Sequence, residues 1–272
     1  ALAPVTHSAE AARTMVEDGA PSFMGLPAIP LDAVAAGDVA VLGIPLATPY
    51  ASTGAHSAKA PAAVRRVMAR YADALDRYDF DLGGLLIPGG GRRAVDCGDL
   101  PFDPSDFPSN RARITRAVKT CLDRCSVPVV IGGDDSVAIP VLAAYAGERQ
   151  FTIVQIDAHI DWRHELGGET MGLSSTMRRA SEMTHVGRIV QVGQRATGSA
   201  RPQDVADARA YGVEFVSAAE IHRDGPGRVF DSVPKDSPVF VHVDIDVLDP
   251  SIAPGVSSRS PGGLMFHQVL AI

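Results

Sequence analysis

The stretch FTIVQIDAHID (151–161) begins as a continuous apolar run and ends in two aspartates and a histidine. Comparable apolar runs, each with several Val or Ile residues, occur at residues 38–45, 127–133, 188–194, 213–221 and 238–249. Helix-like segments lie between them, at residues 60–75, 111–125, 175–183 and 200–212. Continuous apolar strands that alternate with helices indicate a mainly parallel sheet covered on both faces, so the sequence predicts an α/β fold.

The composition is that of a globular protein. The chain has 272 residues, of which 46% are hydrophobic and 21% are charged. Residues 1–36 are rich in Ala and Pro, and we interpret them as an N-terminal arm with one short helix at residues 8–17. The regular pattern begins after this arm, and residues 37–272 are predicted to form one α/β domain.

Charge and cysteine content exclude several classes of function. The formal net charge is -7, which gives no electrostatic reason to expect nucleic acid or an anionic membrane as a partner and favours a cationic substrate. The sequence has no run of 18 apolar residues and no signal layout, so we expect neither a membrane span nor export. Three cysteines without metal-ligand spacing predict a cytoplasmic protein with free, mostly buried thiols.

Three of the predicted strands carry acidic clusters at their carboxyl ends. The clusters are Asp134 and Asp135, then Asp157, His159 and Asp161, then Asp244 and Asp246. Parallel strands bring their carboxyl ends together, and ligands collect there. Alternate residues of an extended segment point to the same face, so the DxHxD and DxD side chains are each expected to converge.

Crowded carboxylates repel one another unless cations neutralise them. Oxygen-rich ligands with one imidazole favour Mn(II), with Ni(II) and Co(II) as alternatives, and the absence of thiolates argues against structural zinc. This many ligands suit two ions that lie about 3.5–4 Å apart and share a hydroxide. The alternative, in which each acid caps a helix or ends a strand in solvent, suits a single DxD better than DxHxD and DxD together.

Three motifs resemble, in this order, the signature blocks of the ureohydrolases, the arginase and agmatinase superfamily. They are GGDDS (132–136), DAHID (157–161) and DIDVLDPSIAPG (244–255). Segment 43–66 and SPGGL (260–264) are similar to further parts of the family pattern. The resemblance implies a three-layer α/β/α fold, a centre of two Mn(II) or Ni(II) ions, trimers or hexamers, and hydrolysis of a guanidinium group to urea and an amine.

The resemblance also implies ligand roles for six residues. One ion would be held by Asp135, Asp157, Asp161 and Asp244. The other would be held by Asp157, His159, Asp244 and Asp246. Asp161 would in addition hold the bridging hydroxide through a hydrogen bond, which makes it the candidate catalytic residue. Asp249 and Pro250 are predicted to shape the turn beneath the site rather than to bind metal.

The chain departs from the family pattern at a ligand position. The family motif reads GGDHS and its histidine binds metal, whereas this chain has Asp135. Five carboxylates against two divalent ions leave a net charge of -1. A more negative shell makes bound water harder to deprotonate, so the sequence predicts altered or reduced hydrolysis, or a different preferred metal.

A second departure lies in ETMGLSSTMRRA (169–180), which has Ser174 and Ser175 where most relatives have a histidine. His164 lies too early to align with that position. Trp162 and Arg163 replace small or polar residues, so they either reshape the mouth of the cleft or, in the case of Trp162, pack under a loop. We further expect the natural chain to continue beyond Ile272, because an end within the apolar run 264–272 would expose it.

Two functions therefore compete. The first is a metal-dependent hydrolase that cleaves a C–N bond of a small cationic guanidino compound, such as agmatine, guanidinobutyrate, guanidine or a biguanide. The second is a non-catalytic or weakly active subunit that supports an active paralogue in a hetero-oligomer. A related deacetylase with a single zinc fits less well, because DxD followed by DPSIAPG is not its pattern.

Overall fold

The computed structural model describes residues 21–48, 50, 54–87, 91–198 and 200–272. In this part of the chain, short strands alternate with helices. The strands are β1 (Val39–Ile44), β2 (Tyr78–Asp79), β3 (Gly84–Leu85), β4 (Ala94–Asp99), β5 (Val127–Gly132), β6 (Phe151–Ile156), β7 (Val186–Val192), β8 (Glu214–Val216) and β9 (Val239–Val243). The α-helices are α1 (Ala60–Met68), α2 (Phe107–Asp123), α3 (Ala138–Ala143), α4 (Thr176–Ser181), α5 (Pro202–Tyr211), α6 (Ala218–Asp224), α7 (Gly227–Ser232) and α8 (Phe266–Leu270).

Among the described strands, all pairs except β2–β3 are parallel, as the continuous apolar runs predict. The short helix predicted at residues 8–17 lies outside the described residues. Residues 21–36 contain two 3-10 helices, Phe23–Gly25 and Leu31–Ala33. No helix in the described ranges is long and apolar enough to span a membrane.

The chain divides into two compact units. The first includes the described residues within 1–46, 57–79 and 84–133, and its sheet has the order β4-β1-β5. Helix α1 packs on β1 and β5, and α2 packs on β5. Gly43 of β1 is required here, because a Cβ at this position would collide with the carboxylate of Asp99 and the guanidinium of Arg65.

A buried ion pair joins α1 to β4 within the first unit. Nε and Nη2 of Arg65 each donate a hydrogen bond of 2.8 Å to the carboxylate of Asp96, and both side chains are buried. Asp96 also accepts hydrogen bonds from the backbone N–H groups of Phe23 and Gly98. The carboxylate is therefore fully paired, which is the condition under which a buried charge is tolerated.

The second unit includes the described residues within 47–56, 80–83 and 134–272, and its sheet has the order β8-β7-β6-β9. Phe151 and Ile153 of β6 belong to one core cluster, which also contains side chains of α3, α4 and α5. Val154 and Ile156 of the same strand belong to another, which also contains side chains of α6 and α7. Helices thus cover both faces of the sheet, and this unit has three α/β/α layers.

Two predicted strands are shorter than the sequence suggests, because side-chain caps end them. The run 213–221 is strand only in β8, since Ser217 and Glu220 form a capping box that begins α6. The run 238–249 is strand only in β9. Its continuation is the 3-10 helix Ile245–Val247, which Asp244 caps.

The predicted extended geometry of the DAHID segment is wrong in the same way. Strand β6 ends at Ile156, and Oδ1 of Asp157 accepts a hydrogen bond of 2.6 Å from the backbone N–H of His159. The acidic side chains therefore converge from turns rather than from extended chain. The sequence interpretation also missed β4 and α3: β4 has Asp96 and Asp99 among few branched residues, and α3 is only 6 residues long.

Candidate metal centre

The acidic clusters lie where elements of the second unit begin or end. Asp157 follows β6 directly, and Asp244 follows β9 directly. Because β6 and β9 pair in parallel, both aspartates leave neighbouring strands at the same end of the sheet. Asp135 begins the 3-10 helix Asp135–Val137, which leads into α3.

Asp134, the neighbour of Asp135, belongs to the loop and not to the cluster. Its carboxylate accepts hydrogen bonds from the backbone N–H of Thr48 and from both the backbone N–H and the hydroxyl of Ser136. These bonds cap the helix that Asp135 begins. Only one of the two adjacent carboxylates is therefore available to a ligand.

Asp135 is buried against His242 of β9. Nε2 of His242 and Oδ1 of Asp135 are hydrogen-bonded, whereas Oδ2 of Asp135 is buried without a hydrogen-bond partner among the described residues. Burial raises the pKa of Asp135, but the charge and hydrogen bond of His242 lower it more. Burial lowers the pKa of His242, but Asp135 raises it more, to about 9.

Asp157 and Asp161 share the buried amide of Gln155. Nε2 of Gln155 donates hydrogen bonds to Oδ2 of Asp157 at 2.7 Å and to Oδ2 of Asp161 at 2.9 Å. Burial raises the pKa of Asp161 well above its ordinary value, and the charges of Asp157 and Asp135 raise it further. Asp161 also has φ 46, a left-handed conformation that is uncommon for a residue other than glycine and that is often found at functional sites.

His159 faces two carboxylates through one ring nitrogen. Its Nδ1 lies 3.0 Å from Oδ2 of Asp246 and 3.5 Å from Oδ1 of Asp157. Its Nε2 lies 3.2 Å from the hydroxyl of Ser258. The hydrogen bonds to Asp157 and then to Asp246 raise the pKa of His159 to about 10. These contacts fix the ring with Nδ1 toward the cluster.

Asp244 completes the cluster between the other carboxylates. Its Oδ1 accepts a hydrogen bond of 2.9 Å from the backbone N–H of Asp246. Burial raises the pKa of Asp244 well above its ordinary value, and the charges of Asp157, Asp246 and Asp135 add to the rise. Buried carboxylates whose pKa values rise together are short of positive charge, and divalent cations would supply it.

Among the described residues, two groups of three place ligand atoms close enough to hold an ion, and within each group these atoms lie within 4.8 Å of one another. The first group is Asp135, Asp157 and His242. The second group is Asp157, His159 and Asp246. Asp157 belongs to both, as expected for a bridging carboxylate. Asp161 and Asp244 lie among the same carboxylates but are in neither group. The oxygen-rich donor set thus fits two hard divalent ions.

The structure brings together all six residues that the sequence singles out as ligands, and their roles as ligands stay predictions. It adds His242, which the sequence interpretation missed. The signal was present in the alternation of VFVHVD: the valines of β9 are exposed, so Phe240, His242 and Asp244 share the other face of the strand.

The structure decides between the two predicted positions of Trp162, at the mouth of a cleft or packed under a loop. Trp162 is 2% exposed and packs in the core with Met177 and Tyr211, so it lies beneath the loop rather than at the mouth of a cleft. His164 is exposed, and its Nδ1 lies 3.3 Å from the guanidinium of Arg179. Ser175 is buried, and its hydroxyl has no hydrogen-bond partner among the described residues.

The prediction that Asp249 shapes a turn is confirmed. Its carboxylate accepts hydrogen bonds from the backbone N–H groups of Ser251, Gly262 and Gly263, at 2.9–3.0 Å. These bonds lower the pKa of Asp249 to about 2, the bond from Ser251 most of all. Asp249 therefore joins the DPSIAPG segment to the PGGL segment, and both of its carboxylate oxygens accept hydrogen bonds from the backbone.

Comparisons with known proteins assign most of the chain to one family. The family model described as "Arginase family" matches residues 37–272. A mitochondrial arginase of Medicago truncatula is 32% identical over 244 residues, which cover 85% of this chain and 69% of that protein. A guanidinopropionase of Pseudomonas aeruginosa is 31% identical over 178 residues, which cover 63% of this chain and 56% of that protein.

The solved structure of proclavaminate amidino hydrolase from Streptomyces clavuligerus superposes with a TM-score of 0.73 at 27% identity. The match covers 92% of this chain and 82% of that one. The chain belongs to the arginase family.

Proposed function

We propose that this protein is a hydrolase that depends on two divalent metal ions, Mn(II) or Ni(II), and cleaves a C–N bond of a guanidino compound to release urea. The observation that carries the proposal is the position of Asp157. This one buried carboxylate belongs to both ligand groups, and each group also has one imidazole. Two ions held in this way would activate a water as nucleophile and polarise the guanidinium group.

The protein's own residues would position the water and take its proton. Asp161 is buried, and Gln155 orients its carboxylate by donating a hydrogen bond to Oδ2. We assign Asp161 the role of proton acceptor. His159 is held by Asp157 and Asp246, so its ring stays oriented toward an ion.

The substrate is proposed to be a small cation. The formal net charge of -7 and the carboxylate cluster both favour a guanidinium group over an anion. Relatives named arginase, agmatinase and guanidinopropionase are each about 30% identical to this chain, which supports the guanidino class without selecting a member. Agmatine, guanidinobutyrate, guanidine and biguanides form the test set.

A second candidate function is favoured by Asp135 and by the missing loop histidine. We propose as the alternative that the chain is a weakly active or inactive subunit of a mixed trimer or hexamer, in which a paralogous chain is catalytic. Three free cysteines, Cys97, Cys121 and Cys125, suit a reducing compartment, and we propose the cytoplasm for either function.

The deciding experiment measures metal per chain by mass spectrometry and urea release from the test set, after reconstitution with Mn(II) or Ni(II). The hydrolase is expected to bind two ions and to release urea. Asp157→Asn is expected to abolish both, whereas Asp224→Asn, at an exposed aspartate that pairs with Arg223, is expected to change neither. Two ions without urea from any guanidine, together with copurification of a second arginase-family chain, would favour the subunit.

A further inference from the structure

The two ligand groups have the same composition. Each has one imidazole and two carboxylates, with Asp157 in common. His159 supplies the imidazole of one group, as the family motif implies. In the other group position 135 has a carboxylate, and the imidazole comes from His242. The substitution at position 135 therefore leaves the number of imidazoles in the cluster unchanged.

His242 reaches the cluster because of its position in β9. It lies two residues before Asp244, so both side chains leave the same face of the strand toward the same end of the sheet. Its side chain is 13% exposed, and that of Asp135 is 4% exposed. An exposed histidine would gain little from this contact, whereas a buried histidine needs a defined partner for Nε2.

Asp135 has an unused ligand atom in the same place. Oδ1 is bonded to Nε2 of His242, but Oδ2 is buried without a hydrogen-bond partner among the described residues. A buried carboxylate oxygen without a partner is costly to desolvate, and a cation is the ligand that removes this cost. The unpaired oxygen and the imidazole thus point to one cation.

We propose that His242 is a metal ligand, and that it supplies to the ion shared with Asp135 and Asp157 the imidazole that a histidine at position 135 supplies in the family motif. The inference rests on the proposed function only in requiring that the cluster bind two ions. In this arrangement the imidazole ligand comes from strand β9, and the loop with the GGDDS motif supplies a carboxylate instead.

The competing explanation is that His242 is a fixed counter-charge for Asp135. An imidazolium in that place would neutralise the carboxylate and leave no lone pair for an ion. The two explanations differ in the number of ions and in the atoms that touch them. A ligand gives two ions and a second coordinated nitrogen, whereas a counter-charge gives one ion, coordinated by the nitrogen of His159 alone.

The experiment uses the whole chain reconstituted with Mn(II). Metal per chain is measured by mass spectrometry, and nitrogen coordinated to Mn(II) by pulsed electron paramagnetic resonance. The variants are His242→Ala, His242→Asn, His159→Ala and the double variant Asp135→His/His242→Ser. His185→Gln is the matched control, because His185 is also buried but its Nε2 donates to Leu142 O, 2.9 Å away and outside the cluster. Circular dichroism and the thermal midpoint report folding, and His242→Asn keeps a polar partner for Asp135.

We expect two ions in the wild type and in His185→Gln, and loss of one ion, or about 100-fold weaker binding of it, in both His242 variants. His159→Ala is expected to keep a nitrogen signal, which then arises from His242. The double variant is expected to recover the second ion.

Two tightly bound ions in both His242 variants would overturn the inference and leave the proposed function standing. One ion in the wild type, with no nitrogen signal in His159→Ala, would assign the counter-charge role. No ion in the wild type would overturn the proposed function as well.

Discussion

Nε2 of Gln155 donates a hydrogen bond of 2.9 Å to Oδ2 of Asp161 from within the core of the second unit. The same nitrogen donates to Asp157, so one amide orients two carboxylates of the cluster. Gln155 is itself held, because its Oε1 accepts a hydrogen bond from Gln191, whose amide also donates to Ile160 O at 2.8 Å. Two buried glutamines thus orient the carboxylates of the candidate metal centre through hydrogen bonds.

Replacement of Gln155 is expected to weaken metal binding without removing a ligand. Gln155→Leu leaves the carboxylates of Asp157 and Asp161 unsupported, and loss of such supporting bonds typically lowers metal affinity about 10–100-fold. Calorimetric titration with Mn(II) measures the change. Gln203→Leu is the matched control, because Gln203 is exposed and bonds only to Asp207. Equal affinities in the wild type and Gln155→Leu would show that the amide does not orient the ligands.

Removal of one carboxylate is expected to stabilise the metal-free protein and to abolish its response to metal. Burial and neighbouring negative charges raise the pKa of Asp157, so Asp157→Asn relieves repulsion within the cluster. In the wild type, an ion at 100 times its dissociation constant adds about 2.7 kcal/mol to the free energy of unfolding. Thermal midpoints with chelator and with Mn(II) test both effects. A metal-dependent rise in the midpoint of Asp157→Asn would contradict a bridging role for Asp157.

The ion pair between Arg65 and Asp96 is expected to be essential for the stability of the first unit. Arg65→Met leaves the Asp96 carboxylate buried without its main partner, which destabilises by about 3–5 kcal/mol. Denaturant unfolding measures the loss. Arg66→Met is the control, because the neighbouring Arg66 is exposed. A similar free energy of unfolding for the two variants would show that other bonds satisfy Asp96.

The ion pair between Arg65 and Asp96 is also expected to make the stability of the folded protein sensitive to acid. Burial raises the pKa of Asp96, but the hydrogen bonds from Arg65, Phe23 and Gly98 together lower it below its ordinary value. A carboxylate with a lowered folded pKa stabilises the protein above its unfolded pKa, and this contribution is lost as the pH falls through the folded pKa. The free energy of unfolding of Arg65→Met is therefore expected to fall less steeply below pH 4 than that of the wild type.

The thiols are expected to differ strongly in reactivity. Cys125 is exposed, whereas Cys97 and Cys121 are buried. Burial raises the pKa of Cys97 to about 12 and also raises the pKa of Cys121, so neither forms the reactive thiolate at pH 8. One thiol per chain should react with a thiol reagent in the native protein, and three should react after denaturation. Cys125→Ser is expected to abolish the native reaction, and rapid native labelling of that variant would contradict the burial of the other two.

The sequence predicted the features that repeat along the chain or lie within one short segment. Apolar runs separated by helical segments predicted parallel sheets, and the compact spacing of DAHID and DIDVLDP predicted where the acids gather. The spacing of apolar residues along a segment reflects which of its side chains are buried, so strands and helices can be predicted from the sequence. The ends of β8 and β9 were not predicted, because local hydrogen bonds of the caps at Ser217 and Asp244 turn the chain before the apolar runs end.

Only the tertiary structure decided what the substitution at position 135 means. The sequence shows an aspartate where the similar motif has a histidine, and by charge alone that change predicts a more negative cluster. Residues 135 and 242 are far apart in the chain, and their contact exists because the 3-10 helix Asp135–Val137 and β9 belong to the same folded unit. The resemblance of three motifs to a family pattern thus indicated the family, and their residue types indicated the class of ligand, whereas the partner of each ligand depended on packing between distant segments.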